Sequence, residues 1–241
     1  GATIMFLFWS ITHLAKKFYS DNKELSLSTI IVVLCAGLVG AGAYTFTDTF
    51  WFSAVEGEVY GMSSLLTAIV FWAILKWEEH SDEQGSDRWI IFIAYIMGLS
   101  IGVHLLNLLT ITALVFVYYF KKFTPTLKGI IITALLSFIL IAIMMWGIIA
   151  GSVDVASSFE LFCVNVLGLP FQSGLIAWLV VLIAAFVVGA IFTKCDKINK
   201  WFKVGIVSFI ALLLGIPSLT DSPLVWVIVF AGIVFGLYYV N

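Results

Sequence analysis

The sequence predicts an all-α, polytopic integral membrane protein with about nine membrane segments. Three observations carry that reading. Of the 241 residues, 62% are hydrophobic and only 11% charged, where soluble domains are about a quarter charged. Mean hydropathy is +1.14. The apolar residues also gather in runs long enough to cross a hydrocarbon core of ~30 Å. The bilayer is therefore the expected environment. No basic stripe or recognised module points to a nucleic-acid partner, and a net charge of -2 is uninformative because placement matters more than the sum.

The apolar runs cover residues 2–18, 28–46, 60–76, 90–120, 129–150, 174–193, 203–216 and 223–240. From Ala2 to Ala15 the first offers roughly 21 Å of helix, which is short for a span. Neither an initiator Met nor a basic n-region precedes it, which excludes an ordinary signal peptide. It reads as the second half of a transmembrane helix whose beginning lies upstream of Gly1. In the second run, Ala36, Gly37, Gly40 and Ala41 form small-xxx-small pairs suited to close helix packing, as do Gly98 and Gly102 in the fourth.

The 90–120 run is too long for one upright helix, at roughly 46 Å. Charge placement resolves it. All twelve Lys and Arg residues fall in or beside the segments 16–27, 76–89, 121–128 and 194–203, and none in 47–59, 151–173 or 217–222. A single crossing would put the basic segments 76–89 and 121–128 on opposite faces. Two short helices broken near Gly102-Val103-His104 keep them on one face, as the positive-inside rule requires. Every basic segment and Asn241 then face the cytoplasm, and the loops 47–59, 151–173 and 217–222 face the outside. The 151–173 loop is long enough for an interfacial helix. No loop could hold a soluble domain, so 1–241 reads as one transmembrane helical domain. Cys35, Cys163 and Cys195 match no CxxC or zinc spacing and are expected to be unpaired.

Ionisable residues at the membrane rim are costly and mark sites. The outer segments hold six acids and no base: Asp48, Glu56, Glu58, Asp154, Glu160 and Asp221. Two readings of Glu56-Gly57-Glu58 stand. In an extended backbone residues i and i+2 point the same way, so both carboxylates could hold a hard divalent ion such as Mg²⁺ or Mn²⁺. Alternatively, Glu58 lies in the first turn of a helix starting near Val59 and complements its dipole. Trp51, Phe50, Phe52 and Tyr60 suit either an apolar platform for a sugar or lipid chain, or an interfacial aromatic belt. His104 lies at the proposed break, with Asn107 at i+3 on the same helical side. The pair could bind a phosphate or a sugar hydroxyl, or could be core residues satisfied by their neighbours.

Three stretches together carry a resemblance: "FLFWSITHLAKK" (6–17), "DTFWFSAVEGEVYGMSSLLTAIVFWAILKWEE" (48–79) and "YIMGLSIGVHLLNLLTI" (95–111). They resemble a bacterial membrane family long catalogued as a domain of unknown function, whose animal relative is a protein O-mannosyltransferase. The resemblance covers about residues 1–123. It implies a GT-C-like glycosyltransferase of the bacterial inner membrane that transfers a sugar from a polyprenyl-phosphate donor to a protein acceptor on the periplasmic face. Loop 47–59 would be the second outer loop, with Glu56 and Glu58 as its acidic pair and Trp51, Tyr60, His104 and Asn107 helping to bind the donor. The family's first outer loop, with a W-D-x-G-E type motif, has no counterpart in these residues. The general base is thus expected upstream of Gly1, and the 241 residues alone are expected to be inactive. A non-catalytic scaffold or lipid-binding subunit of a larger complex is the alternative. A transporter is disfavoured because no inverted repeat is visible.

Overall fold

The computed structural model describes residues 1–19, 26–57, 59–193 and 200–215, and every element among them is helical. The chain divides into two compact units, Gly1–Phe138 and Ile139–Asn241. Five helices among the described residues are long and apolar enough to cross a membrane: Leu27–Thr45, Val59–His80, Leu105–Lys122, Leu127–Val166 and Ser173–Ile191. The expected span at 223–240, the loop 217–222 with Asp221, and Cys195 lie outside the described residues, as does Glu58.

The first unit holds α1 (Ala2–Tyr19), α2 (Leu27–Thr45), α3 (Asp48–Val55), α4 (Val59–His80), α5 (Asp87–Ile101), α6 (Thr110–Lys122) and most of α7 (Leu127–Ala142). Ser26 starts α2 by accepting the Thr29 N–H at 3.3 Å, which satisfies one of the backbone donors left open in a first turn. The small residues of α2 then do what their spacing predicts. A Cβ on Gly37 would strike Thr12 and Phe8 of α1, and one on Gly40 would come within 2.7 Å of Ile11. In lipid, where apolar side chains gain nothing by leaving their solvent, such close van der Waals contact is what holds helices together. Gly98 does not repeat the pattern: a Cβ there would meet nothing within 4 Å. Its partner Gly102 ends α5 as the C-cap.

α4 is the centre of this unit and packs against α1, α5 and α6. Its Val70, Ala73 and Ile74 are wholly buried, and Trp77 stacks on Tyr118 of α6 with ring centroids 5.4 Å apart. The other helices turn large aliphatic side chains outward; Leu38 and Val39 are 68% and 69% exposed. A helix with that surface needs an apolar solvent.

The long apolar run is broken as charge placement requires. α5 ends at Ile101, a tight 3-10 turn covers Leu105–Leu109, and α6 follows. The ends then meet: Lys121 and Lys122 both reach Asp82 at 3.2 Å, and Lys122 also donates to the Ser81 carbonyl. Lys17 pairs with Glu78, and Lys76 with Glu79 at 2.7 Å. The basic segments following α1, α4 and α6 thus gather at one end of the unit.

In the second unit, the stretch expected as an outer loop from 151 to 173 is helical through Val166. α8 (Gly151–Leu161) follows a π-helical segment, Ile143–Ala150, and runs into another, Phe162–Val166. Hydropathy lapses at Gly151-Ser152-Val153-Asp154, but nothing there stops a helix: Ser157 and Ser158 simply donate back to the Asp154 carbonyl. The real turn comes at 167–172, where Gly168 and Gln172 take positive φ around Pro170. Glu160 closes it. Its carboxylate accepts the N–H groups of Gln172, Gly174 and Leu175 at 2.5, 2.8 and 3.1 Å, capping α9 (Ser173–Thr193). That outer-segment acid is a structural cap. α10 (Lys200–Leu213) completes the described part, and Trp178 of α9 donates to the Leu213 carbonyl at 3.1 Å. Cys35 and Cys163 are unpaired.

Candidate functional site

The stretch 47–59, expected as a loop, contains a two-turn helix. Asp48 sits in the first turn of α3, where its charge complements the exposed N–H groups. The Thr47 hydroxyl donates back to the Tyr44 carbonyl at 2.8 Å, closing the corner with α2. Phe50 is buried against Tyr44, ring centroids 4.7 Å apart, whereas Trp51 and Phe52 are exposed. α3 folds against the first turn of α4 so closely that a Cβ on Gly61 would stand 2.9 Å from the Ser53 carbonyl oxygen.

Glu56 ends α3 in an extended conformation, its N–H bonded to the Phe52 carbonyl at 2.9 Å. Its side chain is exposed and pairs with no cation among the described residues. Gly57 is also outside any helix, and the backbone bends at Glu56-Gly57. The pairing of Glu56 with Glu58 falls outside the described residues. Among those residues, no three His, Cys, Asp or Glu side chains gather to hold a metal ion.

At the helix break, His104 is extended and caps the 3-10 turn. Its Nδ1 accepts the Leu106 N–H at 3.0 Å. With Nδ1 occupied as an acceptor, the neutral ring carries its proton on Nε2 and presents it as a donor. The ring faces Tyr60, centroids 5.3 Å apart. Neither the Tyr60 hydroxyl nor His104 Nε2 has a partner among the described residues. The fold therefore brings together two rings that each carry an unpartnered donor, from segments more than forty residues apart.

Asn107 behaves differently. It is 1% exposed, its Oδ1 accepts the Thr110 hydroxyl at 3.3 Å, and its Nδ2 is buried without an acceptor. The 3-10 turn winds at three residues per turn, yet it turns Asn107 inward while His104, in the extended residue before it, stays half-exposed. Trp51 makes no ring contact with this group. A groove of about 330 Å³ is lined by Leu7, Ser10, Tyr44, Thr67, Phe71 and Leu106, the residue whose N–H His104 accepts, but not by Tyr60 or His104 themselves. Sequence reasoning missed it, because its walls come from four separated segments that show no joint motif.

Residues 1–127 match the model of a family described as the protein O-mannosyl-transferase TMEM260 N-terminal domain. The chain belongs to this family. The match covers more than half of the 241 residues and includes α1 to α6, hence Glu56, Tyr60, His104, Asn107 and the groove. No curated protein and no solved structure matches the chain.

Proposed function

We propose that this member of the TMEM260 N-terminal domain family is the membrane core of an O-mannosyltransferase-like glycosyltransferase of GT-C type, with about nine membrane segments. In this reading it works at the periplasmic face of a bacterial inner membrane, drawing a sugar from a polyprenyl-phosphate donor and passing it to a protein acceptor. The observation that carries the reading is the pair of unpartnered donors, Tyr60 and His104, set at a helix break within the family-matched residues. Irregular backbone at membrane depth is tolerated where it lines a cavity, and such a break is a natural place for a polar headgroup.

The chemistry follows from charge. As the acceptor hydroxyl attacks the sugar, negative charge grows on the departing phosphate and must be stabilised by donors already in place. The His104 Nε2–H and the Tyr60 hydroxyl supply two, and the groove that Leu106 lines takes the prenyl chain. The buried Asn107 amide supports the turn that carries His104, and the exposed Trp51 gives an apolar surface for sugar or lipid. Glu56, with Glu58, suits a divalent cation such as Mg²⁺ or Mn²⁺, which would add charge neutralisation at the same phosphate.

Sugar transfer from a radiolabelled polyprenyl-phosphate donor by the native gene product tests this. A Glu56→Gln, Glu58→Gln double variant is expected to lose most of the activity. Wild-type rates in that variant would remove both carboxylates from the mechanism. Absence of transfer by the wild-type protein with any lipid-linked sugar would favour the scaffold reading.

A further inference from the structure

Toward the far end of α4, roughly 20–30 Å from Val59 by helix rise, lies a second groove of about 410 Å³. α1 contributes Trp9, His13 and Lys16, and α4 contributes Trp72, Lys76 and Glu79. Each set is spaced i, i+3 or i+4, and i+7, so each forms one stripe along its helix. Both stripes run from an indole to a charged group over seven residues, roughly 10 Å along the axis.

The charges in this groove do not balance. Lys76 is held by Glu79, and the neighbouring Lys17 by Glu78. Lys16 has no carboxylate partner among the described residues. His13 Nε2 is buried without a partner. A buried polar atom left unsatisfied costs about 1–3 kcal/mol.

An adjoining groove of about 480 Å³ shares Trp72 and is lined by Arg88, Trp89 and Phe92. It has the same two features. Arg88 pairs with no carboxylate among the described residues, and the Trp89 indole N–H is buried without an acceptor. Trp72 joins the two grooves, with ring centroids 6.0 Å from Trp9 and 5.7 Å from Trp89. Two uncompensated cations and two orphaned ring nitrogens thus flank one indole cluster.

We infer that these paired grooves hold the headgroup phosphate of an anionic membrane phospholipid. The phosphate meets Lys16 and Arg88, close to the two ring nitrogens, and the acyl chains lie along Trp9, Trp72 and Phe92. Lipid is favoured over a soluble anion because the walls are tryptophan and the helices forming them carry exposed aliphatic faces. Tryptophan also concentrates at the headgroup level of bilayers. The site is independent of the glycosyltransferase reading, since it lies at the other end of α4.

The test is lipid retention by the whole chain, released from nanodiscs containing phosphatidylglycerol and phosphatidylcholine and weighed by native mass spectrometry. Wild type is expected to retain phosphatidylglycerol preferentially. Lys16→Gln and Arg88→Gln are each expected to lower that preference about fivefold, the value of one basic residue at an anionic surface. His13→Phe, which keeps a ring and loses its nitrogens, should lower it too, and Lys16→Arg should preserve it. Lys128→Gln removes a charge that lines neither groove and should leave it unchanged. Equal retention of both lipids by wild type, or an equal loss in Lys128→Gln, overturns the inference. So does displacement of the lipid by inorganic phosphate, which would mark a site for the free anion. If a Gln variant loses its helical circular dichroism signal, the comparison of Lys16→Arg and His13→Phe with wild type decides instead.

Discussion

The two ends of α4 carry the same kinds of side chain and treat them in opposite ways. At its last turn, Glu78 and Glu79 each meet a lysine, and in the turn beyond, Asp82 meets two. At its first turn, the nearby Glu56 meets no cation, and the Tyr60 hydroxyl and His104 Nε2 have no partner among the described residues, although the two ring centroids lie 5.3 Å apart and His104 Nδ1 accepts the Leu106 N–H. Carboxylates at one end fasten helices to each other. At the other end, Glu56 is exposed and pairs with no cation among the described residues. The difference follows where lysine falls in the sequence: none lies in 47–59, and Lys17, Lys76, Lys121 and Lys122 meet the carboxylates at the other end.

The largest expected effect bears on the open end. His104→Ala in the native gene product should reduce sugar transfer about 100-fold, the usual cost of losing one preorganised donor to a developing anion. A fall in donor affinity alone, with turnover unchanged, would instead make the ring a ground-state anchor. Asn107→Leu comes next and separates support from chemistry. It removes an amide whose Nδ2 is unsatisfied, so thermal stability should hold or rise by about 1 kcal/mol, while transfer falls as the turn under His104 shifts. A stability loss would show that the amide has an acceptor after all.

At the fastened end the effects are smaller. Glu78→Gln breaks the tie between α1 and α4, but both partners are partly exposed, so the melting shift should correspond to about 0.5 kcal/mol or less. Asp82 gives the smallest change and a pH signature. Hydrogen bonds from Lys121 and then Lys122 hold its carboxyl below the usual aspartate range. A depressed folded value stabilises the fold above the ordinary pKa of about 4 and loses that stabilisation as pH falls through the folded value. Melting curves taken below about pH 4 should therefore be flatter for Asp82→Asn than for wild type.

Much of this contrast was legible in the sequence. Basic residues on both flanks of the 90–120 run called for a break within it, and the break is there, with Lys121 and Lys122 returning to Asp82. Gly37 and Gly40 were readable as a close seam because small residues have one use at that spacing. Gly98 and Gly102 looked alike in sequence and serve no such contact, since GxxxG says nothing about whether a partner helix is present. The short helix α3 was missed because eight residues are too few for periodicity to show. The segment 151–173 was readable as an outer loop long enough for an interfacial helix. It was not readable as a helix running on unbroken from 127 to 166, because hydropathy falls at Gly151 without any residue there that stops a helix. The role of Glu160 depends on N–H groups twelve to fifteen residues away across a turn, a pairing no local pattern encodes. The same holds for Tyr60 and His104, which only the packing of α4 against the break brings together.

The central claim is that a lipid phosphate donor enters at the open end of α4, and binding of a polyprenyl phosphate to this chain tests it most directly. Two variants should be compared with wild type: Tyr60→Phe with His104→Ala, and Lys16→Gln with Arg88→Gln. The account predicts that the first pair weakens polyprenyl-phosphate binding at least tenfold, as expected for hydrogen bonds to a charged group, while the second pair retains most of it. Loss of binding in the second pair with full binding in the first would place the donor at the fastened end and contradict the account.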